Sequence, residues 1–135
     1  EPFREPMGNH VFGCDICQDV CPWNRKAATA TEDRFLPLPL RAATPSPDEH
    51  ETLFHPSLDT LASLSETDFN QLFRLSPLKR AKFRGWLRNL SVAMGNSGDR
   101  KFIPWLERLA TDEDTMLGEH AQWALGRLRR TPTKV

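Results

Sequence analysis

The fold is decided by Lys82-Phe83-Arg84-Gly85-Trp86-Leu87-Arg88-Asn89-Leu90-Ser91-Val92-Ala93-Met94-Gly95, in which apolar and basic residues recur at helical spacing. The apolar line comprises Phe83, Leu87, Leu90 and Met94. Arg80, Arg84 and Arg88 follow a second line at four-residue intervals. The stretch therefore predicts one helix that carries both core residues and charge. Gly95-Asn96-Ser97-Gly98-Asp99 predicts its C-terminal cap and a turn.

Helices are predicted on both sides of this stretch. Helical apolar spacing covers 58–64, 69–73, 102–109 and 117–128, and Ser65-Glu66-Thr67-Asp68 offers a capping start for the second of these. Leu90-Ser91-Val92-Ala93-Met94-Gly95 also aligns with Ala121-Gln122-Trp123-Ala124-Leu125-Gly126 at an offset of 31 residues. Paired helices that repeat predict a short HEAT-like tail over 58–135, although standard HEAT repeats run to ~40–47 residues. The fold class predicted for the chain is mainly α.

A proline-rich linker is predicted over 31–57. It contains Pro37, Pro39, Pro45, Pro47 and Pro56. Because proline fixes φ and lacks a backbone donor, an extended crossing is favoured over regular structure.

Three cysteines lie within eight residues, in the run Gly13-Cys14-Asp15-Ile16-Cys17-Gln18-Asp19-Val20-Cys21-Pro22. Thiolates hold iron–sulfur clusters, and in the bacterial two-cluster pattern the cysteine before the final proline ligates the other cluster. The spacing predicts that Cys14 and Cys17 bind one 4Fe-4S cluster and that Cys21 binds a second. Residues 1–30 are thus predicted to be the C-terminal half of a ferredoxin-type two-cluster domain.

Three cysteines cannot complete even one four-cysteine cluster. Because the chain begins at Glu1 without an initiator methionine, we expect it to be the C-terminal piece of a longer protein whose upstream residues supply the other ligands. A zinc site remains an alternative, since His10 with Cys14, Cys17 and Cys21 forms a Cys3His set.

The formal charge is zero but unevenly distributed. Residues 1–73 hold 5 basic and 12 acidic residues, whereas 74–135 hold 13 and 6. A basic half predicts a polyanion partner, with nucleic acid the leading class. The predicted RNA contacts are Lys79, Arg80, Lys82, Arg84 and Arg88. The alternative without a function in binding is that these residues form a helix face exposed to solvent.

The sequence contains no apparent membrane segment. Its clustered thiols, which show no disulfide pattern, favour the cytoplasm.

Several runs together resemble the C-terminal portion of the epoxyqueuosine reductase family. They are Val11 to Asn24 with its Cys-Pro-Trp-Asn ending, Ser76-Pro77-Leu78-Lys79-Arg80-Ala81-Lys82, Arg88-Asn89, Gly95-Asn96 and Trp123-Ala124-Leu125-Gly126. The resemblance implies an oxidoreductase that reduces epoxyqueuosine to queuosine in tRNA with cobalamin and two 4Fe-4S clusters. It also implies that cobalamin and the catalytic acid belong to an upstream N-terminal domain, so that this piece alone is inactive, and that an electron donor is a partner. One departure is visible, since the family usually has Arg-Gly where Gly118-Glu119 precede His120-Ala121.

Two other functions remain open at this point. One is a non-enzymatic module in which a zinc-stapled loop anchors a HEAT-like adaptor for nucleic acid or protein. The other is a different ferredoxin-fused, cobalamin-dependent reductase, such as a dehalogenase. No catalytic residue is predicted within the chain itself.

Overall fold

A computed structural model describes residues 2–36, 52–54 and 56–130, with the side chain of Phe35 excepted. Most of the predicted linker lies outside these ranges. Within them no helix is both long enough and apolar enough to cross a membrane.

Six α-helices form the described part of the chain. They are α1 (Ile16–Asp19), α2 (Leu58–Ser63), α3 (Glu66–Leu72), α4 (Lys82–Ser97), α5 (Ile103–Ala110) and α6 (Thr115–Arg130). Short 3-10 helices add Asn24–Lys26, Asp33–Phe35, Pro77–Ala81 and Arg100–Phe102. The mainly α prediction is confirmed, whereas the ferredoxin-type and HEAT-like assignments stay predictions.

The short helices begin at side-chain caps. Ser57 accepts a hydrogen bond from the backbone of Thr60 at the start of α2. Ser65 accepts one from the backbone of Asp68, whose carboxylate accepts the Ser65 N–H in return, which completes a capping box. The predicted capping start of α3 is therefore confirmed.

Helix α4 lies at the centre of the fold. It packs mainly on α6, which also packs on α5, while α2 and α3 cover another part of α4. Leu90 and Met94 of the predicted apolar line are fully buried, and Trp86 is buried among Phe69 and Phe73. Because α4 contributes to both apolar clusters of the core, it determines where the other helices lie.

The end of α4 differs from the sequence prediction. The helix continues through Gly95 to Ser97 and ends at Gly98, which has the left-handed φ of 72°. Gly95 instead marks a close approach between helices, since an added Cβ would lie 2.9 Å from both Cα and Cβ of Ala124. The sequence pattern predicts that Gly95 belongs to a helix cap, but the close packing of α4 against α6 is what requires glycine at this position.

Candidate cluster ligands and nucleic-acid surface

The cysteines lie on a tight loop built around α1. Cys17 belongs to the helix, Cys14 precedes it and Cys21 follows it. Gly13 and Asp15 both have positive φ, at 67° and 44°, and turn the chain into the helix. The backbone N–H of Cys21 donates to the carbonyl of Gln18 at 3.2 Å, so the loop folds back on itself. The Asn24 side chain holds this turn from the C-terminal side.

The thiols suit metal ligation but do not form a complete site. All three are free; Cys14 and Cys17 are exposed and Cys21 is half-buried. Within the described ranges no three His, Cys, Asp or Glu side chains lie close enough to hold one metal ion. The thiols thus fit as a partial ligand set for clusters, because thiolate is the required donor and every thiol is accessible to further ligands. His10 does not join them in a closed four-ligand site.

Large apolar side chains are exposed around the cysteine loop. They are Phe3, Met7, Phe12, Ile16, Val20 and Trp23. Among the described residues Trp23 is 88% exposed, although it directly follows the Cys21-Pro22 pair. A cavity of about 400 Å³ opens among several of these residues beside His10 and Cys14. The cysteine loop is therefore surrounded by large exposed apolar side chains, which are the kind of surface that interaction sites use.

Two asparagines of α4 hold the segment that leads to the loop. Asn89 Nδ2 donates to the carbonyl of Val11 at 2.7 Å. Asn96 Nδ2 donates to the carbonyls of Arg4 and Gly8 at 2.9 and 2.8 Å. Sequence reasoning missed both, although asparagine is a poor helix former and its presence inside a buried stretch of helix is a usable signal.

Arg4 fastens the same segment to α6. Its guanidinium donates to Glu119 at 2.5 Å and lies over the ring of Trp123, and its side chain is almost fully buried. Arg127 stacks on the same ring and pairs with Glu5 at 3.0 Å. Glu119, where the sequence departs from the resembled family, therefore has a structural partner in this chain.

The predicted RNA contacts divide into two groups. Lys79 and Arg80 lie on the 3-10 helix before α4 and Lys82 at the start of α4; all three are exposed and form no ion pair within the described part of the chain. Lys82 also has a φ of 57°, which is rare outside glycine. As far as the described residues show, these three cations are available to a polyanion.

The other two predicted contacts already have partners. Both Nε and Nη2 of Arg84 donate to the carboxylate of Asp114, and Nε and Nη2 of Arg88 donate to Asn89 Oδ1 at 3.0 and 2.9 Å. Residues 74–101 contain eight basic residues and one acid, Asp99, but the fold brings Asp114 to Arg84 and Asp59 to Lys101, so part of this charge is neutralised. Arg84 is consequently a weaker candidate for phosphate than its spacing indicates.

The Arg84–Asp114 pair predicts a pH effect on stability. The hydrogen bond from Arg84 lowers the pKa of Asp114 to about 2 from its ordinary 3.8. Because the pKa of Asp114 is lower in the folded state than in the unfolded state, the ion pair stabilises the fold at pH values above the unfolded-state pKa. This stabilisation is lost as the pH falls through about 2. We expect Asp114→Asn to lower the melting temperature at pH 7 and to match the wild type below pH 2. Calorimetry between pH 7 and pH 2 measures the two melting temperatures. An equal difference between the variant and the wild type at both pH values would contradict the prediction.

No protein-family model matches the chain. Curated relatives do match, and each carries the name epoxyqueuosine reductase. The Shewanella oneidensis protein is 39% identical over 132 residues, covering 96% of this chain, and the Pseudomonas aeruginosa protein is 39% identical over 127 residues, covering 92%. The Escherichia coli protein is 35% identical over 131 residues, covering 93%. The chain is homologous to part of epoxyqueuosine reductase.

The homologous part is a minority of each relative. The chain spans about 30% of the length of the curated epoxyqueuosine reductases that it matches. A crystal structure of selenomethionine-labelled epoxyqueuosine reductase has the same fold, with a TM-score of 0.71 and 24% identity over 94% of this chain and 31% of that one. The resemblance predicted from the sequence is confirmed, and the relatives are oxidoreductases.

Proposed function

We propose that this chain is the C-terminal part of an epoxyqueuosine reductase, in which it supplies cluster ligands and a tRNA-docking surface. The observation that carries the proposal is the similarity of at least 92% of the chain to proteins of that name. In the whole protein the reaction reduces the epoxide of epoxyqueuosine in tRNA, and the cytoplasm is the location that we propose for it.

The cysteine loop supports the role in electron transfer. Cys14 and Cys17 bind one 4Fe-4S cluster and Cys21 binds the second, with the remaining ligands supplied from elsewhere in the protein. The clusters, when bound, store and pass single electrons from a donor toward cobalamin, which belongs to the upstream domain. This chain's own share is to hold three thiolates at fixed positions on a loop tied to α4 and α6.

The apolar surface around the loop supports a position against that upstream domain. Phe3, Ile16 and Trp23 are all more than half exposed. Burial of apolar area is worth roughly 25 cal/mol per Å², so a partner surface that covers them gains affinity while it excludes water from the clusters. The upstream domain of the same protein is the partner we propose, because the relatives are about three times longer than this chain.

Metal analysis of the anaerobically purified full-length protein tests the proposal. We expect about eight irons with matching sulfide, and conversion of epoxyqueuosine to queuosine in tRNA when reductant and cobalamin are supplied. A content of one zinc without sulfide would contradict the reductase proposal and favour the alternative of a zinc-stapled binding module. Clusters with turnover of an organohalide and no tRNA binding would favour the dehalogenase-like alternative.

The free cations predict a salt-dependent loss of tRNA binding. Each phosphate contact removed lowers the slope of log affinity against log salt by about one. Changing Lys79, Arg80 and Lys82 together to alanine is therefore expected to reduce the slope by about two to three. Fluorescence anisotropy with labelled tRNA from 50 to 200 mM salt measures it.

A matched control comes from α6. Arg129 pairs with Glu107 at 2.8 Å, so Arg129→Ala removes a cation that is already neutralised. We expect the slope to change by less than about one. An unchanged slope in the triple variant would show that the cations are only a solvated face.

A further inference from the structure

Leu75 is the most exposed large apolar side chain in the described part of the chain, at 89%. It lies on the turn between α3 and the 3-10 helix Pro77–Ala81. Single exposed leucines are common on soluble proteins, so exposure alone indicates no site. The surroundings of Leu75 set it apart, because the exposed Arg74 precedes it and the exposed Pro77 and the basic 3-10 helix follow it.

The turn holds Leu75 at a fixed position. The backbone N–H of Ser76 donates to the carbonyl of Phe73 at 3.0 Å, which closes the turn around Leu75. On one side Phe73 is fully buried and contacts the ring of Trp86. On the other side Ser76 Oγ accepts a hydrogen bond from the backbone of Leu78 at 3.3 Å. Leu75 can therefore bind a ligand with little further loss of backbone entropy.

The same backbone places Leu75 close to Lys79. The N–H of Lys79 donates to the carbonyl of Ser76 at 3.1 Å, a turn geometry that keeps the two Cα atoms within about 7 Å of each other. Adjacent Cα atoms are about 3.8 Å apart, so the Cα atoms of Leu75 and Lys79 lie within about 11 Å. One short stretch of a nucleic-acid strand can therefore contact both side chains.

The chemistry around Leu75 suits nucleic acid better than a protein partner. Residues 69–98 contain no Asp or Glu, and lysine is depleted at the centre of protein interfaces. Nucleic acid offers phosphates to the cations and apolar base faces to the leucine. Leucine is among the side chains that proteins insert between bases. Bases in a duplex stack on one another, so the accessible base faces are those of unpaired loop nucleotides.

We propose that Leu75 is an RNA-binding residue, which packs on the face of an unpaired base while Lys79 and the neighbouring cations bind the adjoining phosphates. The inference rests on the proposed function, since tRNA is the polyanion that docks on this basic surface. It adds to that function one side chain that distinguishes RNA with unpaired bases from duplex RNA. Only the removal of charge changes the salt slope of binding, so the contribution of Leu75 can be separated from that of the cations.

Fluorescence anisotropy with labelled tRNA and the full-length protein tests the proposal across a range of salt concentrations. Leu75→Ala is expected to weaken binding about ten-fold at every salt concentration, because it removes most of the apolar contact and no charge. Leu75→Phe should bind at least as tightly as the wild type, because an aromatic ring stacks on a base. An RNA duplex without a loop should bind the wild type and Leu75→Ala equally.

Leu36→Ala is the matched control. Leu36 is also exposed, at 65%, but it follows the 3-10 helix Asp33–Phe35, in which Arg34 is already paired with Glu32. The variant should leave both the tRNA affinity and the salt slope unchanged. An equal loss of affinity in Leu36→Ala and Leu75→Ala would overturn the inference, and so would a lower salt slope in Leu75→Ala.

The remaining outcomes separate the inference from the proposed function. Unchanged tRNA affinity in Leu75→Ala would overturn the inference and leave the proposed function standing. A lower melting temperature of that variant, with unchanged tRNA affinity, would assign Leu75 to a contact with the upstream domain instead. An equal loss of affinity for tRNA and for the duplex would overturn the unpaired base as its ligand. Absence of tRNA binding by the wild type would overturn both the docking function and the inference.

Discussion

Gly95→Ala is expected to lower the free energy of unfolding by about 1–3 kcal/mol, the range for overpacking a well-packed site. The new methyl group would lie 2.9 Å from Cα and Cβ of Ala124 and from the ring of Trp123. Backbone atoms cannot rotate away, so α4 and α6 must separate. The expected decrease is the net effect, after the gain of roughly 1 kcal/mol that alanine brings to a helix interior. Urea denaturation of the 135-residue chain, followed by tryptophan fluorescence, measures the difference.

Gly126 is the matched control, because the sequence repeat aligns it with Gly95. A Cβ at Gly126 would meet only the end of the Arg130 side chain, at 3.6 Å. Gly126→Ala is therefore expected to raise the free energy of unfolding by about 0.5–1 kcal/mol. Shifts of the same sign in both variants would mean that α4 and α6 do not approach as described.

The cysteine variants are expected to remove different clusters from the full-length protein. Cys14→Ser and Cys17→Ser should each remove up to about four of about eight irons, and Cys21→Ser a different group of about four. Electron paramagnetic resonance of the reduced protein distinguishes the two groups, since each cluster has its own signal. The spectra of Cys14→Ser and Cys17→Ser should match each other and differ from that of Cys21→Ser.

Asp19→Asn provides the control for this series. Asp19 belongs to α1 beside Cys17 and Cys21, but it is no ligand in the proposed arrangement. Its iron and sulfide content should equal that of the wild type. Identical spectra from all three serine variants would mean that the thiols share one cluster.

Local patterns predicted most of the helical fold. The apolar line of α4 and the capping box at Ser65 depend on residues within a few positions of each other, so the sequence alone reveals them. Gly95 was assigned to a helix end because glycine followed by Asn-Ser-Gly has a strong capping preference. Its actual role depends on Ala124, which is distant in the sequence, and tertiary packing overrides local preference there.

The candidate site was predicted in its residue types and only partly in its geometry. Cysteine spacing identified the thiols, since ligand chemistry requires those residues. Charge density identified the cations but not the Asp114 that neutralises Arg84 across 30 positions of sequence. The asparagine clamps were missed for the same reason, because each joins residues about 80 to 90 positions apart.

The contacts of Arg4 set an order of assembly. Its hydrogen bond to Glu119 spans 115 residues, whereas the contacts among α4, α5 and α6 are comparatively local. Contacts close in sequence form before distant ones, because closing a long loop costs more chain entropy. During synthesis the asparagines of α4 become available to the cysteine segment first, and the Arg4 contact can form only after α6 has been made. The cysteine loop is therefore fully anchored only once α6 has folded, and the proposed loading of its clusters would follow that step.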